Sequence, residues 1–248
     1  RFAGLAAAVL LAAGTLVGCV NASDVKAEEP ASVSSTASAA NVSTISVGTA
    51  TDSSTGATSA ASTAAGTNTE LTSGQVSVTI DGKSTTLSGA YVVDGIDAVI
   101  DGGTYSSATA DQAVFLVVNG GSLTIRNAGI TKSGDTSNEE QSNFYGFNSA
   151  VLVAGEGSSV TVENTTITTQ SSGSNGVVAT GGATATVRQT TVETHANSSR
   201  GLHATYKGTI TGENVAIHTR GAHSATLATD RGNGTVTVTG TNELNTEG

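Results

Sequence analysis

Hydrophobic positions in the second half of this chain return every 25 residues, and few folds accommodate such a pattern. Ile100, Ile125, Val162, Val187 and Gly212 hold one equivalent position at intervals of 25, 37, 25 and 25 residues. Tyr105, Ile130, Ile167, Val192 and Ile217 keep the same intervals. A fixed period of this size describes a unit that cannot bury its apolar face alone and stacks on copies of itself, a solenoid. Each unit carries segments such as Ser159-Val-Thr-Val-Glu and Thr184-Ala-Thr-Val-Arg. Their period-two alternation is that of short strands with one face inward. No helical periodicity accompanies them, and the Leu-rich signature of leucine-rich repeats of similar period is absent.

Superimposing the units gives chemically uniform columns. Leu123, Val160, Ala185, Ile210 and Val236 are apolar, and Thr124, Thr161, Thr186, Thr211 and Thr237 follow them. Alternation turns the first column inward and the Thr column outward. Asp101, Arg126, Glu163, Arg188 and Glu213 alternate in sign through five successive units. Strands stacked about 4.8 Å apart would place each charge between opposite charges, so a slipped coil would bring like charges together. Asn127, Asn164, Gln189 and Asn214 form a further column, suited to amide ladders at a corner. A β-sandwich does not explain stacked columns. Three short strands and three turns fill such a unit, and the chain resembles the right-handed parallel β-helix family over about Gln75 to Leu244. That resemblance implies an all-β fold, a right-handed single-stranded parallel β-helix of 25-residue coils over residues 73–248. Pectate lyases, tailspike proteins and adhesin passenger domains share this fold, so the resemblance selects no single activity.

The first 72 residues read differently. Ala3 to Gly18 is an apolar stretch, short for a membrane span but suited to the core of a secretory signal, with Arg1 as the remnant of a basic start. The chain does not begin with Met, so a short preceding segment is expected. The single cysteine, Cys19, ends this stretch. Leu16-Val17-Gly18-Cys19 resembles the lipobox of exported bacterial lipoproteins. By that resemblance residues 1–19 are a lipoprotein signal and the Cys19 thiol carries diacylglycerol, which makes membrane lipid a partner and places the protein on the cell exterior or in the envelope. Each buried methylene contributes ~0.8 kcal/mol, so two or three acyl chains anchor stably. Residues 20–72 are rich in Ser, Thr, Ala and Gly with few large apolar side chains, which predicts a disordered tether. About 50 such residues reach roughly 40 Å.

Net charge is −10 with no basic stripe, so nucleic acid is not an expected partner. No cofactor is expected either. Asp94, Asp97 and Asp101 are the best local match to an acidic calcium site of polysaccharide lyases, but their spacing is not that of a calcium loop. Glu163 and Glu213 flank Arg188 in the charge ladder, which suits a structural role better than catalysis. The chain also ends at Gly248 soon after a strand, so a neighbour or further residues are expected to cover that end.

Function is therefore expected where the period breaks. The 37-residue interval holds a 12-residue insertion within Asp135–Asn148, and solenoid insertions map to loops on one face, often the binding face. Phe144, Tyr145 and Phe147 belong to it. All four histidines fall between 195 and 223, with Arg200 and Arg220 among them. Column alignment groups Gln170 with His195 and Arg220, and Thr168 with Glu193 and His218. The expected ligand surface comprises Phe144, Tyr145, Phe147, Arg200, His203, Arg220 and His223, since aromatic faces beside charged and amide groups suit a polysaccharide or cell-surface glycan. A surface-anchored, adhesin-like or carbohydrate-binding lipoprotein is the first expectation. A polysaccharide lyase or glycoside hydrolase of the pectate-lyase-like group is the alternative, and a passive envelope spacer is a third.

Overall fold

The computed structural model describes residues 68–248. Cys19, the apolar stretch before it and tether residues 20–67 lie outside the described residues. The described part opens with β1 (Gly74–Ile80) and β2 (Lys83–Asp94). The first coil follows as β3 (Asp97–Asp101), β4 (Thr104–Ser107) and β5 (Ala113–Val118). The second is β6 (Ser122–Arg126), β7 (Gly129–Lys132), a helix α1 (Glu139–Tyr145) and β8 (Val151–Ala154). The third is β9 (Ser159–Glu163), β10 (Thr166–Thr169) and β11 (Val177–Thr180). The fourth is β12 (Thr184–Arg188), β13 (Thr191–Thr194) and β14 (Leu202–Ala204). A fifth comprises β15 (Thr209–Glu213), β16 (Ala216–Arg220) and β17 (Leu227–Thr229), before β18 (Thr235–Thr239) and β19 (Glu243–Glu247).

Equivalent strands of successive coils pair in parallel, giving three sheets of seven, six and six strands, and the chain is a parallel β-solenoid. Registers match the sequence columns. Ile100 pairs with Ile125, Ile125 with Val162, Val162 with Val187, and Val187 with Gly212. The inward side chains of all three sheets form one core along the bore, including Phe115, Val151, Leu123, Ile125, Ile130 and Ile167.

The charge column is in register but breaks into separate pairs. Arg126 Nε lies 3.6 Å from Glu163 and Arg188 Nε 3.2 Å from Glu213. These groups are about half exposed, so each pair contributes a few tenths of a kcal/mol, up to ~1. The amide column has a different main cause from a continuous ladder. Asn127, Asn164, Gln189 and Asn214 all have positive φ, 46° to 54°, at the corner between the second and third sheets. Asn accepts this left-handed conformation more readily than most residues. The side chains make one amide–amide rung, Asn164 Nδ2 to Asn127 Oδ1 at 2.7 Å, and Asn127 Nδ2 continues to Asp101 at 2.7 Å.

A second recurring polar column lies inside. Ser174, Ser199 and Ser224 stand 25 residues apart and are buried. Ser199 N–H donates to Ser224 Oγ at 3.0 Å and Ser174 N–H to Ser199 Oγ at 3.2 Å, which satisfies the turn between the third and first sheets. At the matching end of β7 the buried Lys132 ammonium donates to the carbonyls of Thr109, Ser133 and Gly134.

The first sheet departs from a plain solenoid. In β5, β8, β11 and β14 every residue is buried, inward and outward alike. Continuous apolar runs such as Ala113-Val-Phe-Leu-Val-Val mark a sheet covered on both faces. The outer cover is partly the β1–β2 hairpin, which is antiparallel. Its turn, Asp81-Gly82, has φ of 51° and 75°, the double positive φ of a type I′ hairpin. The hairpin is a strap rather than a coil. A Cβ on Gly155 would meet Val78 at 3.3 Å and one on Gly181 would meet Ile80 at 3.2 Å, so the strap crosses the turns of successive coils. Gly89 is where β2 passes from strap to sheet edge: a Cβ there would come within 2.6 Å of Leu116 Cβ. Val78, Ile80 and Leu87 join Leu116, Val118, Leu152, Ala154 and Val178 in a core outside the bore.

Residues just before β1 also bond to the coils: Thr69 N–H donates to Val99 O at 2.9 Å and Asn68 Oδ1 accepts from Asp101 N–H at 2.8 Å, both on β3, and Thr72 O accepts from Val92 N–H of β2 at 3.0 Å. Ile80 is fully buried on the inner face of the strap. Ile80→Ala is expected to lower unfolding stability by about 3 kcal/mol, measured by urea denaturation; a loss under about 1 kcal/mol would mean that the outer core contributes little.

Candidate functional site

The insertion completes the outer cover of the first sheet. Asn138 caps α1, its Oδ1 accepting from Gln141 N–H at 3.0 Å, and Gly146 ends it at φ 76°. A Cβ on Gly146 would meet Val178 at 2.6 Å and Leu152 at 2.8 Å, so the segment lies directly on the outward column of the sheet. Thr205 Oγ1 donates to Phe144 O at 2.8 Å, and Arg200 donates to Asn143 Oδ1. Tyr145 and Phe147 pack on the outer core. The strap and the insertion meet where Lys83 Nζ sits 5.6 Å from the Tyr145 ring centroid.

A cleft of about 480 Å³ opens beside this junction. The strap tip contributes Thr79, Asp81 and Gly82, and the turns that follow the first-sheet strands contribute Glu156, Gly181, Gly182, Tyr206, Lys207, Gly232 and Asn233. Tyr206 stacks on Tyr145 with centroids 5.4 Å apart and planes at 16°. Partial burial, with the Tyr145 hydroxyl next, pushes the Tyr206 phenol up, so it stays protonated as a donor. A second concavity, lined by Arg126, Asn127, Glu163, Asn164 and Gln189, runs along the charge and amide columns.

The seven residues expected to form one ligand surface do not converge on one surface. Tyr145 packs on the outer core and stacks on Tyr206, which lines the cleft. Phe144 lies under Arg231, whose guanidinium carbon is 3.6 Å from the ring centroid, and Phe147 packs down on the outer core. Arg200 is spent on Asn143, and its guanidinium pKa is lowered by burial against the opposing pull of Asp230 and Glu139. His203 pairs in register with Val178 and Ala228, is fully buried, and neither ring nitrogen has a hydrogen-bond partner. Burial first, and Arg200 second, push its pKa down to about 3, so it is neutral at pH 7. Arg220 lies on another face, in the third sheet, 3.3 Å from Glu247 and 3.3 Å from His195 Nδ1. His223 is exposed in the turn after β16 at φ 59°. Alternating strand geometry separates them: His203 is an outward residue that the insertion covers, and Arg220 points from a different sheet.

The other column groupings hold in register but exchange partners. Glu193 stands beside His218, yet its carboxylate is 3.4 Å from His195, and His218 is 3.4 Å from Glu243. Asp94 and Asp101 each accept an amide from the next coil, Asn119 and Asn127, at 2.7 Å. Among the described residues no three His, Cys, Asp or Glu side chains converge as a metal-binding group.

Tyr206 and Lys207 went unrecognised from sequence. They occupy the central positions of a turn closed by Gly208 N–H to Thr205 O at 2.8 Å, with φ of 43° and 65°. The equivalent turns use Asn119-Gly120 and Gly181-Gly182, the residues that tolerate two positive φ values. Two bulky L-residues in the left-handed region cost ~1–2 kcal/mol each. The break in this Gly-rich column was the available signal, but it appears only when the turn columns are aligned along with the strand columns. Strain of this kind concentrates at functional positions.

Comparison with protein-family models, curated proteins and solved structures finds no match to this chain.

Two stability measurements test this geometry. Lys207→Gly is expected to stabilise by about 0.5–1 kcal/mol in urea unfolding, since relief of the left-handed cost exceeds the entropy of glycine. His203 has a folded pKa below its unfolded value, so the unfolded chain binds more protons between pH 6.5 and about 3. His203 therefore carries no protonation penalty above pH 6.5, and stability falls as pH drops through that window. His203→Leu is expected to shrink this acid loss and to raise stability at pH 7 by ~1–2 kcal/mol, because two unpaired ring nitrogens leave the interior.

Proposed function

We propose that this protein is a cell-surface carbohydrate-binding module, adhesin-like in role and held to the membrane by acylated Cys19. The stacked Tyr145 and Tyr206 pair at the rim of a mixed polar cleft carries this reading. A sugar ring offers an apolar C–H face and a belt of hydroxyls. Rigid tyrosines meet the first at low entropic cost, and Asp81, Glu156, Lys207 and Asn233 supply acceptors and donors for the second. The site moves from the expected aromatic and His/Arg surface to the cleft, which Tyr145 supports from behind through its stack on the lining residue Tyr206.

The glycosidase alternative has one observation in its favour, since two carboxylates, Asp81 and Glu156, line the same cleft. A glycan array probed with the full chain, followed by product analysis of each bound glycan, separates the two readings. Binding is expected without chain cleavage, and Tyr145→Ala with Tyr206→Ala is expected to weaken it at least tenfold. Unchanged binding in that double variant would remove the cleft from the proposal, and released reducing ends would favour the hydrolase. Anchoring has its own readout: Cys19→Ser is expected to move the protein from the membrane fraction of the expressing bacterium to the soluble fraction, and retention at the membrane would argue against the lipid.

A further inference from the structure

We infer that the insertion is an acid-released lid, seated on the first sheet over His203 and lifted when that imidazole takes up a proton. The release reaches the cleft, because the lid carries the ring that supports Tyr206.

The lid is fastened on both sides of His203. Arg200 donates to Asn143 Oδ1 on one side, and Thr205 Oγ1 donates to Phe144 O at 2.8 Å on the other. Residues 143–144 therefore lie across the outward face of β14. Behind them Gly146 rests on Val178, the register neighbour of His203. His203 is fully buried under this cover, and neither ring nitrogen meets a hydrogen-bond partner among the described residues. A buried polar group without a partner forfeits the bonds that water would supply, so the closed lid carries a cost that opening relieves.

The surrounding charges give the switch its direction. Arg200 is the charged group that bears on His203, and it opposes a second cation there. Glu139 of α1 and Asp230 in the turn after β17 act on Arg200 instead. Arg231 lies against the Phe144 ring and Lys83 near the Tyr145 ring, so neither offers a counter-ion to an imidazolium. Burial, with Arg200 second, keeps the covered imidazole neutral down to about pH 3. Once the lid lifts, the ring meets water and returns toward its ordinary 6.5. The proton thus binds the open state, and opening grows about tenfold per pH unit below 6.5. The stem of the insertion holds through most of this range. Burial raises the Asp111 carboxyl, but bonds from Ser137 and Thr136 and the nearby Lys132 outweigh it and leave its pKa below the usual value. Acid therefore lifts the lid before it frees the stem. Lifting withdraws Tyr145 from Tyr206, whose rings stack 5.4 Å apart, and Tyr206 lines the cleft. What the cleft binds rests on the carbohydrate reading above; the lid does not.

Hydrogen exchange of the full chain, followed by mass spectrometry and corrected for intrinsic chemistry at each pH, reads the lid through a peptide spanning residues 139–147. Peptides from β9 and β12 read the coils. Between about pH 6.5 and 4.5 opening of the lid is expected to rise roughly 50-fold while the coils stay unchanged. His203→Leu is expected to slow lid exchange and to remove its pH dependence. His203→Gln, polar but not titratable, is expected to leave the lid equally loose at every pH. Lid exchange that is flat with pH in the natural chain, or still pH-dependent in both variants, would overturn the lid and leave the carbohydrate reading standing. A glycan taken from the array is expected to slow lid exchange at least threefold, since coupling between two sites is reciprocal. A glycan that binds and leaves lid exchange unchanged would overturn the link to the cleft.

Discussion

The hydrogen-bonded stacking of each coil on the next is the constraint from which the rest of the structure follows. Every strand finds its partner in the preceding and following turn, so one register decision fixes an entire rung. A slip of one residue would send the bore-facing aliphatics to solvent and the threonines inward. The apolar columns make such a slip costly, the charge column makes it repulsive, and the left-handed Asn corners set where each rung bends. None of these needs to be strong individually, because each is repeated through successive turns.

That repetition also explains how function can be accommodated. Residues in a repeated column already have structural roles, as Arg188 and Glu213 do in pairing between adjacent rungs of one sheet. A ligand site needs side chains released from the column rule. The molecule provides them in two ways. The insertion lays Tyr145 over the first sheet, and the strap brings Asp81 to the turns beyond it. Between them the glycine turn column gives way to Tyr206-Lys207, where local strain is tolerated because the coils on either side hold the backbone.

The bore was legible in the sequence because its signal is linear: the 25-residue spacing of Val162, Val187 and Gly212 states which residues stack. The outer layer was not. Val76, Val78 and Ile80 alternate as any edge strand would, and nothing local distinguishes a strand that continues a coil from one that folds across it. The all-apolar run of β5 carried the hint of double burial. The cleft was hidden for a related reason. Tyr145 could be singled out as an aromatic in an insertion, but its partner Tyr206 lies 61 residues later in a turn, and only the three-dimensional stack joins them. His203 misled because histidine reads as polar, whereas the insertion turns its position into interior.

The strap changes more than local burial. A bare solenoid is a row of nearest neighbours, in which an end turn frays without disturbing the middle. Here a two-stranded ribbon that begins at the first rung reaches past later ones and contributes to a shared apolar layer with them. Opening any of those rungs exposes part of that layer, so their fluctuations are coupled over the ribbon's length. The cleft at the ribbon's tip is thereby built on a cooperative block rather than on independent turns, and its geometry is kept by residues several rungs away.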